Sequence, residues 1–359
     1  MYTKQINHTR FNKTLITIFL VSLLLYLGKT FLIPLAIAAF FAMLLFPVMQ
    51  KLQRFRLKKA MAALISILSL LAILVAISAL VYYQVSLLEK DLPRLEQKLT
   101  EKAHQLQGLL YEKADITTQE QEAILAEKKP DIIKAVFKSI RNVLVQGLTI
   151  FLFVFIVLTY TFFFLIYQRK IQSFFVRMHF FETHKEAQVL LARISRIVHD
   201  YLKGTFTVIF ILAIIYALGF WAIGIEHAIL FAIITALLRI IPYFGSFLGI
   251  AFPITFAFLL EDSPWAVVLV VLFFMVTQLL EANLLTPYIT GSRVKLNPLA
   301  TILVILLGNL LWGVPGMILF IPLFASLKVV FDQIPQLSPY GYILGKEDDE
   351  VINSKWGLF

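Results

Sequence analysis

Residues 238–253 read LRIIPYFGSFLGIAFP. The chain on either side is almost purely apolar, yet this stretch holds Arg239, Pro242, Tyr243, Gly245, Ser246, Gly249 and Pro253. The run from Ala228 to Leu260 carries one charge, Arg239, and is interrupted at Pro242 and Gly245. At a rise of about 1.5 Å per residue it is too long for one crossing of a hydrocarbon core about 30 Å thick and too short for two comfortable ones. It reads as a helical hairpin, formed either by two thin spans or by a re-entrant loop. Non-helical backbone at membrane depth leaves N–H and C=O groups without partners, and it is tolerated only where protein or a water-filled cavity satisfies them.

The composition agrees with a membrane setting. Of 359 residues, 60% are hydrophobic, and the mean hydropathy is +0.84. Soluble domains are about 45–50% apolar, so the excess belongs to an integral membrane protein. The 33 Phe residues suit lipid-facing surfaces. There is no Cys, which excludes disulfides, thiolate metal sites and a Cys nucleophile. The net charge of +10 is better read as a cytoplasmic charge bias than as a nucleic-acid footprint.

Working outward, Thr14 to Met49 carries only Lys29, and its length implies two short spans, about 14–28 and 31–49, with a turn at Gly28–Thr30 and Pro34. Further spans are expected at 60–83, 143–167 and 205–223, giving about five conventional spans. Residues 50–59 carry five Lys/Arg and no acid, and residues 168–204 carry seven Lys/Arg against three Asp/Glu. The alternate loops hold only Lys29, Glu226 and Glu261-Asp262. The positive-inside rule then places the N-terminus, 50–59 and 168–204 in the cytoplasm, with the first apolar run as an uncleaved signal anchor. Trp265 to Asn283 crosses back inward. A second uncharged run, Leu299 to Leu327, is broken by Gly308, Gly313, Pro315 and Gly316 and forms a second hairpin. Both termini are thus expected to be cytoplasmic.

Residues 84–142 contain ten Lys/Arg and ten Asp/Glu and fall on the outer face. Leu88, Leu92, Leu95, Leu99, Ala103, Leu106 and Leu110 form one helical stripe, and Ile132, Ile133, Val136, Phe137 and Ile140 a second. Thr118 and Gln121 stand at capping-box spacing between them. A small helical domain on the outer face follows. In 168–204 the stripe Leu190, Ile194, Ile197, Tyr201 opposes Arg193, Arg196 and Lys203, as in helices that lie at a membrane surface. The expected organisation is three N-terminal spans in 1–83, the outer domain 84–142, a span at 143–167, amphipathic helices at 168–204, a core at 205–331 and a tail at 332–359. The fold class is all-α polytopic membrane protein, with two broken hairpins flanking one further span.

Ionisable groups inside a membrane are functional candidates by default. Arg239 lies three residues before Pro242, where it either snorkels or pairs with freed carbonyls. Gln278 and Glu281 share a helix face with Thr277, and Asn283 points elsewhere. Interrupted helices mark a transporter's site, so Pro242, Tyr243, Gly245, Pro287, Gly291, Gly313 and Gly316 join the candidates, with close helix packing as the glycines' alternative role. Pro242–Gly245 is loosely echoed by Pro287–Gly291. No enzyme motif, Walker A loop or zinc spacing appears. No catalytic residue, cofactor or metal is expected.

The stretch IPYFGSFLG, with QLLEANLLTPYITGSRVKLNPLATILVILLGNLLWGVPGMILFIPLFASLK further on, resembles the autoinducer-2 exporter family of bacterial membrane permeases. The matching elements are Pro242 to Gly245, Gln278/Glu281/Asn283, Pro287 and Gly291, Val294/Leu296/Pro298, Gly313/Gly316 and Pro322, with Tyr201 and Gly204 upstream. Thr205 and Ser246 depart from the pattern, at places where Gln and Pro are frequent. The resemblance implies a bacterial inner-membrane protein that forms homo-oligomers, pentamers among the possible forms, and that moves a small polar solute such as a quorum-sensing signal. It also admits a Na⁺(Li⁺)/H⁺ antiporter with Glu281 as the exchanged carboxylate. From the residues alone, a non-transporting scaffold that recruits partners through 84–142 and 168–204 is the third reading. The lipid bilayer is the expected partner in every case.

Overall fold

The computed structural model describes residues 8–91, 93–94, 97–98, 100–102, 147–177, 184–260, 264–290 and 296–346. These are helical throughout, with no strand among the described residues. The elements are α1 (His8–Leu27), α2 (Lys29–Arg54), α3 (Lys59–Lys90), α4 (Gly147–Arg177), α5 (His184–Ile223), α6 (Ala228–Leu238), α7 (Phe244–Leu260), α8 (Pro264–Leu280), a π-helical stretch π1 (Glu281–Thr290), α9 (Pro298–Trp312), α10 (Val314–Gln333) and α11 (Ser338–Leu344). Among the described residues, six segments are long and apolar enough to cross a membrane: Lys29–Arg54, Lys59–Lys90, Thr149–Arg177, Lys185–Ile223, Pro264–Ile289 and Val314–Gln333.

The helices outrun the apolar spans that hydropathy marks. α5 has 40 residues and carries the amphipathic stripe and the apolar span without a break. Helix formation depends on backbone hydrogen bonding and on good formers such as Lys, Arg, Gln and Glu, and these continue past the hydrocarbon boundary. Along α5, Leu190 is buried while Arg193, Arg196 and Lys203 are exposed. Where a turn is expected near Lys29, the helix is interrupted at Gly28 alone, and helical bonds reach this residue from both sides, Gly28 N–H to the Leu24 carbonyl and Leu32 N–H to the Gly28 carbonyl. Pro34 lies inside α2 rather than in the turn. Of the outer-domain stripe, Leu88 is described and buried; Leu92, Leu95, Leu99, Ala103, Leu106, Leu110, the capping pair and the 132–140 helix lie outside the described residues.

Two compact units make up the chain: Met1–Leu68 with Ile156–Phe206 and Pro287–Phe359, and Ser69–Phe155 with Thr207–Thr286. In the first, Phe40, Val198, Leu202, Val304, Trp312, Leu319 and Phe320 form a buried apolar cluster. The Trp312 indole donates to the Leu25 carbonyl at 2.9 Å, and the Lys59 ammonium to the Ile166 carbonyl at 2.6 Å. The hairpin α9–α10 breaks at Gly313, whose φ of 64° and ψ of −143° suit glycine. Gly308 and Gly316 serve a different end. A Cβ on Gly316 would fall on the Gly308 carbonyl, and one on Gly308 on the Gly316 carbonyl, so the two backbones are in direct contact.

Asn297 caps α9, accepting from the Ala300 N–H at 2.7 Å. Its amide donates to the Ile343 and Gly345 carbonyls at 2.8 and 3.0 Å, which ties α11 to the start of α9. Asn297→Ala is expected to lower stability by about 1–2 kcal/mol. Thermal unfolding measures the loss, and faster amide exchange confined to 338–344 shows its place.

In the second unit, Tyr216 of α5 stacks on Phe274 of α8 at a centroid distance of 6.1 Å, and Tyr216 and Phe220 meet Phe273 edge-to-face at 6.3 and 5.8 Å. Phe231 of α6 meets Phe256 of α7 at 4.5 Å. The Thr235 hydroxyl donates to the Gly249 carbonyl at 2.8 Å, joining the two arms of the first hairpin. Beyond α3, Arg94 pairs with Glu226 at 2.9 Å, and Asp91 meets the His227 ring at 2.8 Å. Trp221 and Trp265 stand exposed at helix ends, where membrane–water interfaces favour Trp.

Candidate functional site

The site grows out of the break between α6 and α7. α6 has 11 residues, about 16 Å of helix and half of a hydrocarbon core. It ends at Arg239, where Ile240 and Ile241 turn back onto the Leu237 and Leu238 carbonyls at 3.1 and 3.0 Å. Pro242 has no N–H to continue the ladder. Tyr243 then takes a φ of +63°, a left-handed conformation uncommon for an aromatic residue. The sequence points to Pro242 and Gly245 as the breakers, but the break is made by Pro242 and Tyr243. Gly245 already belongs to α7, and its φ is not positive. It is needed because a Cβ there would fall on the Leu238 carbonyl.

This break delivers Arg239 to three side chains of the same unit. One guanidinium nitrogen, Nη1, donates to the Ser246 hydroxyl of α7 and to the Gln278 carbonyl oxygen of α8, the latter at 2.9 Å. The other, Nη2, pairs with Glu281 Oε2. The Arg239 and Glu281 side chains are 11% and 10% exposed, so this is a desolvated ion pair. Tyr216, of the same unit, is fully buried and its hydroxyl has no partner. Arg239 Nε is likewise buried and without a partner. The segments 207–223, 228–260 and 264–286 contain no other charged residue.

Glu281 sits where α8 changes into π1. Pro287 lies within π1, and its ring is incompatible with a regular α-helical turn; π-type widening is frequent at functional sites. Thr277 shares the buried face with Glu281 and donates to the Phe273 carbonyl at 2.9 Å. Asn283 is exposed and bonds to the Leu279 carbonyl of its own helix, outside the cluster. Pro242 is half-buried at the break, and Tyr243 is exposed. Pro287, Gly313 and Gly316 belong to the first unit, where Gly313 forms a turn and Gly316 a backbone contact. Gly291 lies outside the described residues. The Pro242–Pro287 echo does not extend to the backbone, since Pro242 sits at a break and Pro287 inside a helical stretch. Among the described residues no group of three His, Cys, Asp or Glu is placed to hold a metal.

Two members of the cluster are missing from the sequence-level site. Ser246 is visible there only as a departure from a family pattern. Tyr216 is marked by a phenol within an otherwise apolar span, but aromatic residues are too common in such spans for this to stand out.

A protein of Bacillus subtilis named "Putative transport protein YrrI" is 28% identical over 320 residues, covering 84% of this chain and 86% of that protein. MJ1177 of Methanocaldococcus jannaschii, with the same designation, is 24% identical over 302 residues, covering 83% and 88%. YueF of B. subtilis, again so designated, is 34% identical over 120 residues, about a third of each chain. Residues 15–336 match the family described as AI-2E family transporter. Multi-pass helices, a buried charged cluster at a helix break and this match together identify the chain as a member of the AI-2E transporter family.

Proposed function

We propose that the protein is a secondary transporter that exports a small polar solute, and that Arg239, Ser246, Gln278 and Glu281 with Tyr216 line its binding site. The observation that carries this reading is the desolvated Arg239–Glu281 pair at a helix break. Such a pair adds little net stability for its desolvation cost, and inside a membrane it marks a pathway. The flanking candidates Pro242, Tyr243 and Gly245 shape the break. Without an ATP-binding loop in the sequence, export runs downhill or is coupled to an ion gradient.

The cation-antiporter reading is less well supported. Glu281 is already neutralised by Arg239, and a carboxylate held by a guanidinium is a poor ligand for Na⁺ or Li⁺. The account expects no Na⁺-induced proton release in everted vesicles; release that disappears in Glu281→Gln would favour the antiporter. The sidedness proposed from the loop charges, with both termini cytoplasmic in a bacterial inner membrane, receives internal support. Arg94 and Glu226, both assigned to the outer face by the loops that carry them, meet each other, as residues on one side of the membrane should. A homo-oligomer remains part of the proposal through the family resemblance.

The test is a flux screen of neutral and charged metabolites on purified protein in liposomes. Movement of at least one small polar solute under its own gradient or an ion gradient is expected. Absence of flux for every solute and ion under all gradients would overturn the transport reading.

A further inference from the structure

We infer that the solute class of this site is a small carboxylate anion, and that it enters with one proton. The inference rests on the site proposed above. Glu281 meets Arg239 at Nη2 as an ion pair, its Oε2 making no hydrogen bond, while Nη1 is held by Ser246 and Gln278. Nε, on the same side of the fork as Nη2, is buried and has no partner. Nε and Nη2 together form the edge that a carboxylate fills with two parallel hydrogen bonds. Glu281 therefore occupies half of a bidentate site. An incoming carboxylate that takes both nitrogens has the better geometry and displaces Glu281. The buried Tyr216 hydroxyl, also without a partner, is available to the bound anion.

Displacement leaves the Glu281 carboxylate in apolar surroundings without a counter-charge, a state relieved by neutralisation. The groups facing it are Arg239, now engaged by the anion, the neutral Gln278 and Ser246, and Tyr216; the α5, α6, α7 and α8 segments of this unit bring no other charge. A proton from the aqueous phase adds to a Glu281 oxygen as the anion binds. Before binding, the site holds Arg⁺ and Glu⁻; afterwards it holds Arg⁺, the anion and a protonated Glu281. The net charge is zero in both states, so anion and proton move together, in the direction set by the product of their gradients.

The experiment uses purified full-length protein in detergent with lactate and pyruvate as probes, because the fork recognises the carboxylate itself, and lactamide as the neutral isostere. Lactate or pyruvate is expected to raise the melting temperature and lactamide to leave it unchanged. Between about pH 6 and 8, where the probes are ionised, apparent affinity should rise about tenfold per pH unit of acidification, with one proton taken up per anion bound. Arg239→Gln should weaken binding at least about thirty-fold. Glu281→Gln should bind more tightly than wild type and independently of pH. Equal stabilisation by lactamide, pH-independent binding in wild type, or no binding of either anion would overturn the inference. If the variants do not fold, the wild-type pH dependence decides. Flux of neutral solutes with no anion binding removes the inference and leaves the transport reading; pH-linked anion binding with no flux of any kind does the reverse.

Discussion

Glu281→Ala is expected to destabilise the protein by about 3–5 kcal/mol, and replacing Arg239 as well should recover much of that loss. The reason is the asymmetry of a buried ion pair. Bringing both charges out of water costs several kcal/mol per ion, and their mutual attraction largely offsets this while both are present. Removing the carboxylate leaves the guanidinium desolvated, with only Ser246 and Gln278 to satisfy it. Arg239→Leu alone strands Glu281 in the same way. The Arg239→Leu/Glu281→Ala double variant buries neither charge, so its melting temperature should lie above those of both single variants. Equal and additive losses would mean that the pair is open to water. Transport is expected to be lost in all three variants, so stability and activity separate in the double variant.

The second large effect is at Gly316. Gly→Ala at a helical position ordinarily improves stability, by up to about 1 kcal/mol; Gly316 lies in the first turn of α10. Here the sign should reverse, with a loss at or above the upper end of the range of about 1–3 kcal/mol seen for overpacking. The atom that the new methyl meets is the Gly308 carbonyl oxygen. Backbone has no rotamer with which to move aside, so α9 and α10 must separate. Separation opens the cluster of Val304, Trp312, Leu319 and Phe320. Gly308→Ala should behave alike, and the two together should not compensate each other, since each adds volume to the same contact. Melting temperatures in detergent measure both effects.

Much of this architecture is legible in the sequence. The α1–α2 break, the two hairpins and the single helix between them follow from apolar run lengths set against membrane thickness. Arg239, Gln278 and Glu281 were legible because strongly polar residues are rare in apolar helices, and the helical repeat already placed Gln278 and Glu281 on one face. What was not legible follows from the same logic. Ser246 and Tyr216 are tolerated in membrane helices, so their presence carries little signal. The glycines look alike in sequence, but Gly313 supplies a positive φ whereas Gly245, Gly308 and Gly316 supply absent side chains. That difference depends on which backbone lies opposite. Tyr243 adopts a conformation that its residue type disfavours, so local preference gave no sign of it. α3, α4 and α5 run past the apolar spans expected at 60–83, 143–167 and 205–223, because hydropathy reports the hydrocarbon boundary and not the hydrogen-bond ladder.

An Arg239 fork that handles the transported solute makes flux depend on the planar guanidinium and not on charge alone. Flux per mole of folded protein in liposomes is to be compared for wild type and Arg239→Lys, with the solute that the screen identifies. Lysine keeps the charge and can still pair with Glu281, so the fold should persist, but it lacks the planar fork. Flux should fall at least about tenfold, the consequence of losing one good charge-assisted hydrogen bond. Flux unchanged in the lysine variant would contradict this role of Arg239.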